Sequence, residues 1–231
     1  MRKEAQSILQ KVLSEGRKFL LEPEAKTLCS IYTIPVTVFK VAKSPEDAVL
    51  FAKKIGFPVV MKIVSPDIIH KTDVGGVILN IHSEEEVLRS YKQILENVKR
   101  KVPKARVYGI LVEEMAKPSI EVIVGCIKDR QFGHAIMFGL GGVFVEVLED
   151  ITFRIVPITR YDAEEMIREV KGYKVLKGYR GFKADIDSIV EVLLKVSEMV
   201  SDIGIINQLD LNPIYVYERG AKVVDARIIL D

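Results

Sequence analysis

Tryptophan is absent from the 231 residues, cysteine occurs twice and histidine three times. Cys29 and Cys126 lie far apart with no CxxC spacing, which leaves a disulfide framework or a Cys-based zinc site without support and suits a reducing compartment. A charge excess is lacking too: 34 Lys and Arg stand against 32 Asp and Glu, and no arm concentrates the surplus. A nucleic-acid footprint therefore has no basis. No apolar run approaches the roughly 20 residues that span a bilayer. The stretch MRKEAQSILQKVLSEGRKF holds no apolar segment of the kind found in export signals. A cytoplasmic protein is expected. No linker rich in Pro, Gly or Ser divides the chain, and no internal repeat recurs at solenoid periods.

With 48% hydrophobic and 29% charged residues, a sizeable core is available. Residues 4 to 20 and 22 to 32 place apolar side chains at helical spacing, the second after a Pro in its first turn. TVFKVA (37–42) reads as extended, SPEDAVLFAKKIG (44–56) as a helix with a Ser cap and a closing Gly, and FPVVMKIV as a strand. VILNI, a helix from SEEEVLRSYKQILENVKRK, and VYGILVEEM follow. SIEVIVGCIK, GHAIMFGL, FVEVLED and ITFRIVPI suggest a meander. The segment DAEEMIREV, a basic glycine-rich link GYKVLKGYRGF and a long helix near 185–202 lead into IINQLDLNPIYVY and AKVVDARIIL, a hairpin turning at Gly220. The pattern predicts an α+β protein of two lobes, 1–108 and 109–231, hinged at ILVEEMAKP.

The densest chemistry lies in FPVVMKIVSPDIIHKTDVGGVILNI, residues 57–81. Hairpin loops need about two to five residues to reverse the chain, so a link carrying Ser65, Asp67, His70, Lys71, Asp73, Gly75 and Gly76 calls for another reason. Lys62 ends an apolar strand and suits an anion, and Gly75 and Gly76 would let backbone N–H groups approach phosphate. The plainer alternative is a lysine snorkelling at a sheet rim. His70 is the best candidate among the histidines, because His82 and His134 suit structural roles. A neutral imidazole can act as nucleophile or base, with Lys71 beside it to neutralise a phosphoryl group.

In QLDLNPIYVYERGAKVVDARI, strand alternation points Asp210 and Asn212 to one face and the hairpin return brings Asp225 near. Oxygen donors without His or Cys suit Mg²⁺ rather than zinc, while a hairpin with exposed acids remains the alternative. Glu113 and Glu114, with Val112 and Met115, end a strand that could hold an adenine through main-chain groups and one side-chain acceptor, or could simply be a solvated strand end. FGLGGVFVEVLED contains G-x-G-G, but it lies between strands and fails the context of a dinucleotide fingerprint.

The ordered set FPVVMKIVSPDIIHKTDVGGV, EVIVGCIKDRQFGHAIMFGLGGVFVEVLEDITFRIVPI, LKGYRG, QLDLNPI and VVDARI resembles the ATP-grasp subunit of ADP-forming acyl-CoA synthetases over nearly the whole chain, and more distantly the β subunit of succinate–CoA ligase. Gln131 and His134 depart from the family pattern in a loop. The resemblance implies an ATP-grasp fold with nucleotide bound between two lobes, and formation of ATP from ADP through phosphohistidine. It implies a CoA-binding α subunit as partner, in an α₂β₂ assembly. It implies His70 as a phosphoryl carrier and Lys62, with Lys71, Gly75 and Gly76, near the nucleotide phosphates. It further implies Glu113, Glu114 and Met115 at the adenine, Asn212 and Asp225 as Mg²⁺ ligands, and Asp210 orienting either the metal or His70. Two other readings stand beside it: a free-standing ATP-grasp carboxylate–amine ligase, in which His70 has no role, and a nucleotide sensor without catalysis.

Overall fold

The computed structural model describes residues 1–142, 149–178 and 183–231. Two compact units emerge: one joins 1–36 to 118–231, the other is 37–117. This replaces the expected division at 108/109. Strand β4 (Gly109–Glu114) lies between β1 (Phe39–Ala42) and β2 (Val59–Val64), with β3 (Val77–Ile81) beyond β2. Its hydrogen bonds therefore tie it to the smaller unit. The first 36 residues belong with the C-terminal part because the chain around Phe19 adds to the far sheet edge: Leu20 N donates to Ile228 O and Leu230 N to Lys18 O.

In the smaller unit, α3 (Pro45–Ile55) and α4 (Glu84–Lys101) begin at Ser44 and Ser83, whose hydroxyls accept from the N–H three residues on and satisfy donors that a helix start leaves unpaired. Both pack on one face of the four-stranded sheet. Met61, Ile63, Ile110 and Val112 meet Ala48, Ala52, Val87 and Ile94 there, and by alternation Val60, Lys62, Leu111 and Glu113 point to the opposite face. A strand such as β2 looks apolar throughout because both of its faces are occupied.

The larger unit holds α1 (Lys3–Ser14), α2 (Glu22–Ile31), α5 (Arg160–Glu169), α6 (Tyr173–Gly178) and α7 (Ile186–Ile203). Its sheet runs β10 (Ala226–Leu230), β8 (Ile206–Val216), β5 (Ile120–Asp129), β6 (Gly133–Leu140) and β7 (Ile151–Ile155), with β9 (Ala221–Val223) pairing the end of β8. The meander is present as β5, β6 and β7, each antiparallel to the next. Most of the predicted strand FVEVLED and the YRGF part of the basic link lie outside the described residues. The remainder of that link is helical, as α6. Its Tyr173 and Val175 N–H groups bond back to Val170 and Gly172, so a short turn of helix forms where composition suggested loop. Helix α1 also stops earlier than its apolar spacing implies. Gly16, at φ +69°, takes a left-handed conformation that ends the helix, and Leu20 enters the core from the following segment.

Val122, Val124, Cys126, Ile136 and Phe138 turn one face of this sheet into the core, and the alternate residues form the other face. Burial pushes the thiols of Cys29 and Cys126 up to about 12, so both remain protonated and unreactive in the folded protein. Among the described residues no helix is long and apolar enough to cross a membrane.

Candidate active site

Lys62 faces Glu113 across neighbouring strands. The register pairs Val60 with Glu113 and Lys62 with Leu111, which sets the two side chains diagonally on one face. Lys62 Nζ lies 2.9 Å from Glu113 Oε2, with the side chains 12% and 1% exposed. Thr37 Oγ1 donates to the other oxygen of Glu113. Glu113 was expected as a hinge acceptor, and here its carboxylate is engaged by Lys62 and Thr37. Glu114 Oε1 accepts from Val38 N at 2.9 Å, and Met115 N donates to Pro58 O at 3.1 Å. The N–H of Met115 is therefore already used within the unit.

The link between β2 and β3 is held at both ends. Asp67 accepts three bonds from Arg106: from the main-chain N at 2.7 Å, from Nε at 3.0 Å and from Nη2 at 2.7 Å. These bonds push the Asp67 carboxyl down to about 2. The strap is thus ionised at neutral pH and is lost only as pH falls toward that value. Ile68 is buried in the core of the smaller unit. On the returning side, Asn97 Nδ2 donates to Gly75 O at 3.1 Å and Lys101 Nζ to Asp73 O at 2.5 Å. His70 stands exposed between these anchors, with Ile69 65% exposed beside it.

The two glycines have a different role from the one expected of them. Gly75 N donates to Thr72 O and Gly76 N to Lys71 O, so their N–H groups close the turn and do not point at an anion. A Cβ on Gly76 would lie 2.6 Å from Ile63 Cγ2 and 3.0 Å from Lys71 O. One neighbour is a core side chain and the other is main chain, so neither yields easily. Gly76→Ala is expected to destabilise the protein by about 1–3 kcal/mol, read as a lowered urea midpoint. An unchanged midpoint would mean the turn has room that this packing denies.

In the larger unit, Asp210 and Asn212 both project from the sheet face opposite the core, as alternation predicts. Asn212 N donates to Asp225 O at 3.3 Å, which sets the two residues side by side on neighbouring segments. Asp225 Oδ1 also accepts from Ala226 N at 2.9 Å. The paired strands set a row across this face, Phe153, Met137, Gly125, Asp210 and Arg227, lining a cavity of about 290 Å³. Partial burial raises the Asp210 carboxyl above its ordinary value, and Arg227 pulls it back. Among the described residues no three His, Cys, Asp or Glu side chains gather as a metal cage. An amide and one carboxylate are hard oxygen donors that fit Mg²⁺, provided nucleotide oxygens and water complete the shell.

His134 Nε2 lies 2.7 Å from Ile206 O and His82 N donates to Glu86 Oε2 at 2.7 Å, just before α4. The His134 ring thus has a main-chain partner, whereas at His82 the bond is made by the main-chain N–H and not by the ring. Asp129 accepts from the N–H groups of Gln131 and Phe132, so the departure at Gln131 sits in a turn closed by another residue. Sequence reading missed Thr37, Arg106, Asn97, Lys101 and Arg227. Arg106 is 39 residues from Asp67, and no local pattern links them.

The smaller unit carries a strand-borne lysine backed by a buried glutamate and an exposed histidine, and the larger unit carries oxygen donors on its own antiparallel sheet, in an α+β protein. The family model for the ATP-grasp domain matches residues 11–230, and the chain belongs to that family. Its particular kin are the β subunits of ADP-forming acetate–CoA ligases. It is 50% identical to the ADP-forming acetate–CoA ligase II subunit beta of Pyrococcus furiosus, over 100% of this chain and 99% of that one. The solved acetyl-coenzyme A synthetase 1 of Ca. Korarchaeum cryptofilum, in complex with coenzyme A, Ca-AMPCP and HgCl+, is 53% identical and superposes with a TM-score of 0.94, covering 98% of this chain and 100% of that one. A second structure of that enzyme, with coenzyme A and Mg-AMPPCP and its phosphohistidine segment pointing towards the nucleotide binding site, is 48% identical with a TM-score of 0.88, again covering 98% of this chain and 100% of that one.

Proposed function

We propose that this chain is the nucleotide-binding β subunit of an ADP-forming acetyl-CoA synthetase. With a CoA-binding α subunit, in an α₂β₂ assembly, it takes part in acyl-CoA + ADP + phosphate ⇌ carboxylate + CoA + ATP. The observation that carries this reading is the correspondence, end to end, with a β subunit of that enzyme.

In this reading the phosphoryl group arrives on a histidine of the partner. A neutral ring nitrogen of His70 attacks phosphorus, and the P–N bond to the partner's histidine breaks with its electron pair returning to that ring. A β-phosphate oxygen of ADP then attacks the same phosphorus, the bond to His70 breaks, and ATP forms. Lys62 and Lys71 offset charge on the phosphates, and Glu113 holds the Lys62 ammonium in place. Positioning and charge compensation supply most of the catalysis in a loose phosphoryl-transfer transition state. Glu114 and Met115, which follow Glu113 at the end of β4, lie at the adenine end. Gly75 and Gly76 shape the turn that carries Lys71. Asn212 and Asp225 would hold Mg²⁺, which would supply positive charge near the nucleotide phosphates. Asp210 shares its sheet face with Asn212 and orients the metal side.

The test is reconstitution with the partner subunit and assay of ATP formation from acetyl-CoA, ADP and phosphate. The chain alone should bind ADP without turnover. Carboxylate–amine ligation by the chain alone would instead support the free-standing ligase, and nucleotide binding without turnover in any reconstitution would support the sensor. Asp225→Asn removes an anionic oxygen donor and should raise the Mg²⁺ concentration for half-maximal activity by at least about tenfold. An unaltered Mg²⁺ titration would exclude Asp225 as a ligand.

A further inference from the structure

We infer that Asp67, acting through Arg106, is a positioning residue for His70, holding the turn as a fixed station to which the phosphoryl donor must come. This inference rests on the reading of His70 as a phosphoryl carrier. It is carried by the way residues 65–76 are tied down. Before His70, Asp67 N donates to the buried Ser65 Oγ at 3.2 Å, and its carboxylate takes the three bonds from Arg106. Ile68, the next residue, is sunk in the core. After His70, Lys71 and Thr72 carbonyls accept from Gly76 and Gly75, and Gly76 O accepts from Ile63 N at 2.7 Å. Asn97 and Lys101 of α4 hold Gly75 O and Asp73 O.

An exposed ion pair ordinarily contributes little to stability, so thermodynamic support does not explain this one. Its geometry does something else. The guanidinium is a planar fork matched to a carboxylate, and the added bond from the Arg106 main-chain N fixes the Asp67 side chain relative to the chain leading into β4. Rotation of the segment ahead of Ile68 is thereby blocked. Phosphoryl transfer needs the attacking nitrogen in line with the breaking bond, at about 3–3.5 Å. A histidine free to swing would lose that alignment on arrival of the donor.

The experiment uses the enzyme reconstituted with its partner, Mg²⁺ and γ-labelled ATP, in rapid-quench labelling of wild type, Asp67→Asn and Arg106→Lys. In this direction a His70 nitrogen, directly or by way of the partner's histidine, takes the γ-phosphoryl group and ADP leaves with the electron pair of the broken P–O bond. Arg106→Lys keeps the charge and removes the fork. Both variants are expected to bind ADP with near wild-type affinity and to keep their Tm, because the pair is exposed. The rate of acid-labile labelling at His70 should fall by about 10- to 100-fold, with kcat falling and KM for ADP little changed. Hydrogen exchange across 67–76 should rise in parallel. Wild-type labelling rates in both variants overturn the inference while leaving the carrier reading intact. Absence of label on His70 in the wild-type complex overturns the carrier reading, and the inference with it.

Discussion

His70→Ala is expected to lower ATP formation by the reconstituted enzyme by on the order of 10³-fold or more, with ADP affinity unchanged. The magnitude follows from what is removed. A nucleophile that forms a covalent intermediate has no ready substitute in the other histidines: His82 lies beyond β3 at the entry to α4, and His134 is bonded to Ile206 O. The retained affinity follows because the exposed imidazole supports no packing and the turn closes through main-chain bonds. Calorimetric ADP titration beside the turnover assay checks both halves. Substantial residual activity would mean that the partner's phosphohistidine hands its group directly to ADP, and His70 would then be a bystander.

Lys62→Met should show a double effect, on stability and on nucleotide binding. Glu113 is 1% exposed on the central strand of its sheet, 2.9 Å from the Lys62 ammonium. Deleting the cation leaves the carboxylate without the charge that offsets its desolvation, at a cost of about 3–5 kcal/mol. Nucleotide affinity should fall as well, since the ammonium is assigned to the phosphates. The double variant Lys62→Met/Glu113→Leu separates the two effects. It replaces a buried pair by apolar groups of comparable size, so most of the stability should return, while nucleotide binding should not. Urea unfolding of all three proteins beside ADP titration is the check. A single variant losing less than about 1 kcal/mol would place the pair among exposed bridges of small worth.

The smaller unit was legible wherever period and caps agree. Ser44 with Pro45 and Ser83 with its acidic turn mark helix starts from local chemistry alone, and the structure begins α3 and α4 there. The β8 alternation that points Asp210 and Asn212 one way is a property of any strand. Asp225 follows because the turn at Gly220, φ +81°, returns the chain alongside. Helix α1 overran its true end in the sequence reading because Leu20 keeps helical spacing while belonging to an extended segment. The lobe boundary was misplaced for a similar reason: β4 reads as the next strand in order, and only its insertion between β1 and β2 reveals which sheet it completes.

The sequence by itself determined the class: its ordered motifs assign an ATP-grasp protein, and its strand-end lysine, loop histidine and hairpin oxygen donors supply the candidate chemistry. These are local properties, set by side-chain type and by periods of 3.6 and 2. Tertiary structure alone decided how those groups are held. It turned Glu113 from a hinge acceptor into the partner of Lys62, gave Gly75 and Gly76 a turn to close, and joined Asp67 to Arg106. Each of these depends on residues distant in sequence meeting at a particular register or packing contact. A side chain's chemistry is written in its own identity, whereas its partner is fixed only when the sheets and helices have formed.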